Sequence, residues 1–254
     1  ELMKNTNTHR SSVTSLEAKG LVRVFDKEVE RIYSETYKEN LEELVLTDEQ
    51  KKIVEEVRCK IESEEFTPYL LHGVTGSGKT QVYIELTKTA IEKNKSALIL
   101  VPEISLTPQI TSRFLNTFGK QVTVIHSRMS LGERYDSWRG IISGKYKIII
   151  GARSALFAPL KNIGLIVVDE EHDQSYKQHE NIPKYNARDS AVVRAQLNNC
   201  PVLLGSATPS IESFYNAAEG KYKLLELKNR IDDAKLPIIK LVNVNFEKKK
   251  HRMN

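Results

Sequence analysis

The chain has 254 residues, 40% of them hydrophobic, and carries 38 Lys and Arg against 33 Asp and Glu, a formal charge of +5. This is enough apolar material for one large domain, or one with a small neighbour, and its mild basicity favours a polyanionic partner without defining one. Cys59 and Cys200 lie far apart with no Cys-x-x-Cys spacing, no window nears the run of about 18 apolar residues a membrane span needs, and the polar start has no signal-peptide core, so a soluble, cytoplasmic protein without a disulfide scaffold is expected.

Residues 1–45 are charged and hold no strong buried strand. Within them Val13-Thr14-Ser15-Leu16-Glu17-Ala18-Lys19-Gly20-Leu21-Val22 reads as the end of an amphipathic helix stopped at a glycine and followed by an extended segment, the tail of a small separate module. Thr47-Asp48-Glu49-Gln50 then fits the capping box Ser/Thr-x-x-Glu/Gln, with Leu46 as hydrophobic staple, and predicts a helix over residues 47–63. From residue 67 onward, apolar runs at 69–72, 97–101, 122–126, 147–150, 165–168 and 202–204 alternate with amphipathic stretches starting near Lys79, Leu106, Leu131, Ala187 and Ser210. That alternation predicts six strands in one mostly parallel, doubly wound α/β sheet with helices on both faces. The α/β domain is placed at 46–230, and 231–254 reads as an exit segment.

Gly73-Val74-Thr75-Gly76-Ser77-Gly78-Lys79-Thr80 fits G-x-x-x-x-G-K-[ST] between a predicted strand and a predicted helix, where such a loop must lie. Glycines let backbone N–H groups curl around phosphates, and the helix N-terminus favours an anion. Lys79 is the candidate for the β- and γ-phosphates of ATP, and Thr80 for Mg²⁺. The run Leu165-Ile166-Val167-Val168-Asp169-Glu170-Glu171-His172 is an apolar strand ending in carboxylates. Alone it would pass for a solvated acidic turn; downstream of a phosphate loop, Asp169 becomes a candidate Mg²⁺ ligand and Glu170 the group that polarises an attacking water. Ser206-Ala207-Thr208, also at a strand end, offers hydroxyls that can bond the acidic cluster, although helix capping by Thr208 or Ser210 is the plainer account.

These three elements, in this order, resemble motifs I, II and III of superfamily 2 helicases. The Asp-Glu-Glu-His form, the run Leu100-Val101-Pro102-Glu103-Ile104-Ser105-Leu106-Thr107-Pro108-Gln109, the pair His126-Ser127 and the run Gly151-Ala152-Arg153-Ser154-Ala155-Leu156-Phe157-Ala158-Pro159-Leu160 narrow the resemblance to the primosomal replication-restart helicases. The resemblance implies a RecA-like first motor lobe, ATP and Mg²⁺ as cofactors, contact with single-stranded and forked DNA, and primosome and single-strand-binding proteins as partners of the full-length protein. Residues 173–189 resemble that family's aromatic-rich loop, which implies DNA contact or coupling roles for Tyr176, Lys177, Tyr185 and Arg188. Arg153 and Ser154 are implied at the DNA backbone, and His172, Ser206 and Thr208 in coupling. Gln50 is implied in adenine recognition, in competition with its capping-box role. Residues 13–25 resemble the end of a winged-helix module.

The start at Glu1 rather than Met, and the stop soon after Lys248-Lys249-Lys250-His251-Arg252, read as a fragment. The family's zinc-binding insertion and second lobe would lie beyond residue 254, so the isolated chain is expected to turn over little ATP. The alternatives are another superfamily 2 translocase of restriction type or an RNA helicase, a P-loop kinase of small molecules, and a lobe that only docks partner proteins.

Overall fold

The computed structural model describes residues 9–24, 45–102, 108–179 and 182–231. The chain forms two compact units, Glu1–Ile32 and Tyr33–Asn254. In the first, helix α1 (Arg10–Ala18) closes just before Gly20, where the N–H of Leu21 donates to the carbonyl of Leu16 at 3.0 Å. Most of the expected exit segment, and the start of the stretch near Leu106, lie outside the described residues.

The second unit begins with α2 (Asp48–Ser63), launched by the expected capping box: Thr47 Oγ1 accepts from the Gln50 N–H at 3.3 Å, and Gln50 Oε1 accepts from the Thr47 N–H at 2.9 Å. Strand β1 (Pro68–Gly73), α3 (Lys79–Glu92) and β2 (Ser96–Leu100) follow. Next come α4 (Pro108–Phe118), β3 (Val122–Ile125), α5 (Leu131–Ile142) and β4 (Ile148–Gly151). The unit is completed by β5 (Ile163–Asp169), α6 (Ala187–Leu197), β6 (Val202–Ser206), α7 (Ile211–Ala218) and β7 (Lys223–Leu227).

The strands form one sheet in the order β3-β4-β2-β5-β6-β1-β7, with every neighbouring pair parallel. It has seven strands where the apolar runs predicted six. The additional one, β7, is an edge strand reading Lys-Leu-Leu-Glu-Leu, and only Leu225 and Leu227 are buried, so it never shows the continuous apolar run of an inner strand. Because strand side chains alternate between faces, Tyr69 and Leu71 enter the core beneath α2 and α3 while Leu70 enters the opposite one with Ala187 and Ala191 of α6. Each fully buried Leu or Ile contributes about 1.5–3 kcal/mol, so two such layers hold the sheet rigid between helices.

Register aligns the carboxyl ends that matter. Asp169 of β5 lies opposite Gly205 of β6, and His72 of β1 lies opposite Ser206. The loops after β1, β5 and β6 therefore open side by side along one edge, where ligands of open α/β sheets bind.

Candidate active site

The 73–80 loop leaves β1 and delivers its last two residues into the first turn of α3. Lys79 is nearly buried, and its Nζ donates to the loop's own Gly73 carbonyl at 2.9 Å. Gly78 caps α3 in the left-handed region at φ 80, with no side chain satisfying the helix N-terminus. A Cβ there would collide with the Gln50 amide and with Ile231, so glycine is required by both conformation and space. Ser77 Oγ is buried without a hydrogen-bond partner. An uncapped helix N-terminus, an ammonium group held only by a loop carbonyl and an orphaned buried hydroxyl together fit a phosphate ligand.

Gln50 is buried and bonded at both ends of its amide: its Oε1 serves the capping box and its Nε2 donates to the Ser77 carbonyl at 2.9 Å. The capping box is thus retained, and the same side chain also braces the phosphate loop. Residues leaving β7 complete the bracing. The Val74 N–H donates to the Leu227 carbonyl at 3.2 Å, and the Ile231 N–H donates to the Gly76 carbonyl at 3.0 Å. The Glu49 carboxylate accepts from the Lys228 N–H and from Asn229 Nδ2 at 3.2 and 2.8 Å.

Across from the loop, burial and the neighbouring Glu170 charge push the Asp169 carboxyl up to about 6, against the opposing effects of a Tyr83 hydrogen bond and the Lys79 charge. Tyr83 Oη donates to Asp169 Oδ1 at 2.9 Å. Glu170 turns the chain in the left-handed region at φ 45. Behind it, His172 Nδ1 lies 2.8 Å from Ser206 Oγ and 3.7 Å from Glu170 Oε2, while its Nε2 lies 3.5 Å from Thr208 Oγ1. The imidazole therefore links the acidic run to the Ser-Ala-Thr turn. Residues with Mg²⁺-binding chemistry are present in Thr80 at the start of α3 and Asp169 at the end of β5.

Two residues expected at DNA are placed otherwise. Tyr176 is 1% exposed and its hydroxyl donates to the main-chain oxygen of Asp169 at 2.6 Å, so it cannot offer a face to a base. Arg188 is 8% exposed, and its guanidinium is engaged by Glu171 at 3.2 Å, Asp189 at 2.7 Å and Ser210 Oγ at 2.7 Å. A buried carboxylate needs a partner more than a phosphate does, which is why Arg188 turns inward. Other expected residues do reach the surface. Lys177 and Ser154 are exposed, as is the neighbouring Lys184, and Tyr185 packs edge-on against the exposed Phe157 at 5.0 Å. Arg153 holds the loop from below, donating to the carbonyls of Ser175 and Lys177 at 3.1 and 2.7 Å.

Sequence reasoning missed Tyr83 and Glu171. Glu171 is buried and accepts from Arg188, from the Ser210 N–H and Oγ and from Ser213 Oγ, tying the acidic run to the N-terminus of α7. Ser210, three residues before Ser213, was the legible sign of that helix start.

The chain matches a family model described as Type III restriction enzyme, res subunit, over residues 43–211. It is 45% identical over 251 residues to the replication restart protein PriA of Bacillus subtilis (strain 168), covering 97% of this chain and 31% of that protein. It is 42% identical over 253 residues to the replication restart protein PriA of a Synechocystis species, covering 98% of this chain and 30% of the relative. The chain thus spans less than a third of the length of the curated relatives it matches. Among solved structures, RecG bound to a three-way DNA junction superposes with a TM-score of 0.60 at 22% identity, covering 83% of this chain and 27% of that one. That likeness shows the fold, a RecA-like lobe.

Proposed function

The chain belongs to the family described as Type III restriction enzyme, res subunit, and from that membership we propose that it is the first, ATP-binding motor lobe of a replication-restart DNA helicase. The observation that carries the reading is the meeting of three distant segments on adjacent strand ends. Residues 73–80, Asp169-Glu170-Glu171-His172 and Ser206-Ala207-Thr208 follow β1, β5 and β6, and His172 joins the last two through Ser206 at 2.8 Å.

In this reading the backbone of residues 73–80 cradles the ATP phosphates, and Lys79 leaves the Gly73 carbonyl to meet them. Thr80 and Asp169 hold Mg²⁺, which when bound neutralises developing charge on the phosphates. Glu170 orients and polarises the attacking water, and His172, beside Glu170, bonds Ser206 and approaches Thr208. Gln50 contacts adenine through the second N–H and second lone pair of its amide, or by giving up one of its two present bonds. Single-stranded DNA crosses Lys177 and Lys184, with Tyr185 and Phe157 as the aromatic platform in place of Tyr176.

Forked DNA and the primosome and single-strand-binding proteins belong to this reading through the resemblance of its motifs to the replication-restart helicases, as does a cytoplasmic location. So do the reading of residues 1–45 as a truncated winged-helix remnant and linker, and of residues 231–254 as the exit toward a zinc-binding region and second lobe. Among the described residues, no helix is long and apolar enough to cross a membrane. The test is ATP hydrolysis by the full-length protein with forked DNA, single-stranded DNA or RNA. Stimulation by DNA, lost in Lys79→Ala, is expected; equal stimulation by RNA, or none by either, would overturn the reading.

A further inference from the structure

We propose that Tyr83 is the positioning residue that fixes Asp169 for the metal, so that one helix sets both protein ligands of the ion. The proposal rests on the reading of residues 73–80 and Asp169 as an ATP·Mg²⁺ site.

Helix α3 carries Lys79 and Thr80 in its first turn and Tyr83 in the next. Tyr83 is fully buried, yet its hydroxyl ends on a functional atom, donating to Asp169 Oδ1 at 2.9 Å. The space for that hydroxyl is made by a third element. Gly205 of β6, the register partner of Asp169, has no side chain, and a Cβ there would fall on the Tyr83 oxygen. Helix α3, β5 and β6 are therefore interlocked at one hydroxyl.

A carboxylate with one oxygen held by a fixed donor presents the other in a fixed direction. Hydrogen bonds to metal-ligating groups act in this way, orienting the ligand before the ion arrives. Because Tyr83 and Thr80 share one helix, the Tyr83 bond ties the position of the Asp169 carboxylate to that of the Thr80 hydroxyl. A packing tyrosine would need only its ring; here the hydroxyl is the part for which room has been cleared.

The experiment is Tyr83→Phe in the full-length protein, read by binding of a fluorescent ADP analogue during a Mg²⁺ titration. The half-saturating Mg²⁺ concentration should rise by roughly tenfold, with Mg²⁺-free nucleotide affinity and thermal midpoint little changed. Gly205→Ala, which displaces the hydroxyl, should give a similar shift, and the double variant should add nothing, as for two changes to one contact. An unchanged Mg²⁺ requirement in Tyr83→Phe, or additive effects in the double variant, would overturn the proposal. Nucleotide binding by the unsubstituted protein with no Mg²⁺ dependence would instead sink the underlying reading of the site.

Discussion

Tyr176 reaches back from the loop after the acidic run and donates its hydroxyl to the main-chain oxygen of Asp169 at 2.6 Å. The loop that carries the exposed Lys177 and the half-buried Tyr185 is thereby bonded to the backbone of a proposed metal ligand. Arg153 grips the same loop at Ser175 and Lys177. In the proposed reading, a displacement of the outer loop by a bound strand would have a short mechanical path to the proposed ATP site.

Tyr176→Phe should therefore leave nucleotide affinity intact and weaken the response to DNA. Loss of one buried hydrogen bond is worth about 1 kcal/mol, so DNA stimulation of hydrolysis should fall about fivefold. The ratio of rates with and without single-stranded DNA measures it, and an unchanged ratio would refute the path.

Arg188 and Lys184 should separate stability from DNA affinity. Arg188→Ala strands the Glu171 carboxylate, which is 2% exposed, and should destabilise the lobe by about 3–5 kcal/mol. Lys184→Ala, at an exposed position, should change stability by less than about 0.5 kcal/mol while weakening single-stranded DNA binding and lowering its salt dependence. Denaturant melts and binding titrations at two salt concentrations distinguish the two. A tolerated Arg188→Ala that loses DNA affinity would restore the phosphate-contact role.

Asp169 makes stability depend on pH in a definite direction. Its folded value, raised by burial to about 6 from the ordinary 3.8, means that the folded lobe holds this proton more tightly than the unfolded chain. Without metal, this group's contribution to stability should fall as pH climbs from about 4 to about 6 and stay low above that, by at most about 3 kcal/mol. Asp169→Asn should raise the thermal midpoint of the metal-free protein at pH 8, and the gain should vanish below pH of about 4. A gain of equal size at both ends would rule out the titration as its source.

The sequence made the strand-end motifs legible because their spacing reflects local chemistry: a glycine loop must lie between a strand and a helix, and carboxylates next to a phosphate loop have few other uses. Thr47 and Gln50 announced their helix for the same local reason. Direct DNA contact by Tyr176 and Arg188 does not fit their burial, because residue type alone does not say whether a side chain faces in or out. Whether an arginine meets a phosphate or Glu171 depends on where α6 docks, a tertiary fact with no periodic signature. Tyr83 was hidden among the buried residues of α3, where its hydroxyl becomes meaningful only once Gly205 is known to lie beside Asp169.

Strand β7 was hidden too, and it sets the path of the residues that follow it up to Ile231. The segment running from Leu227 to Ile231 crosses the mouth of the phosphate cradle and is stitched to it at Val74 and Gly76. Any reshaping of the 73–80 loop would therefore be felt directly by residues 227–231, so the proposed cradle can act as a lever on the edge of the sheet.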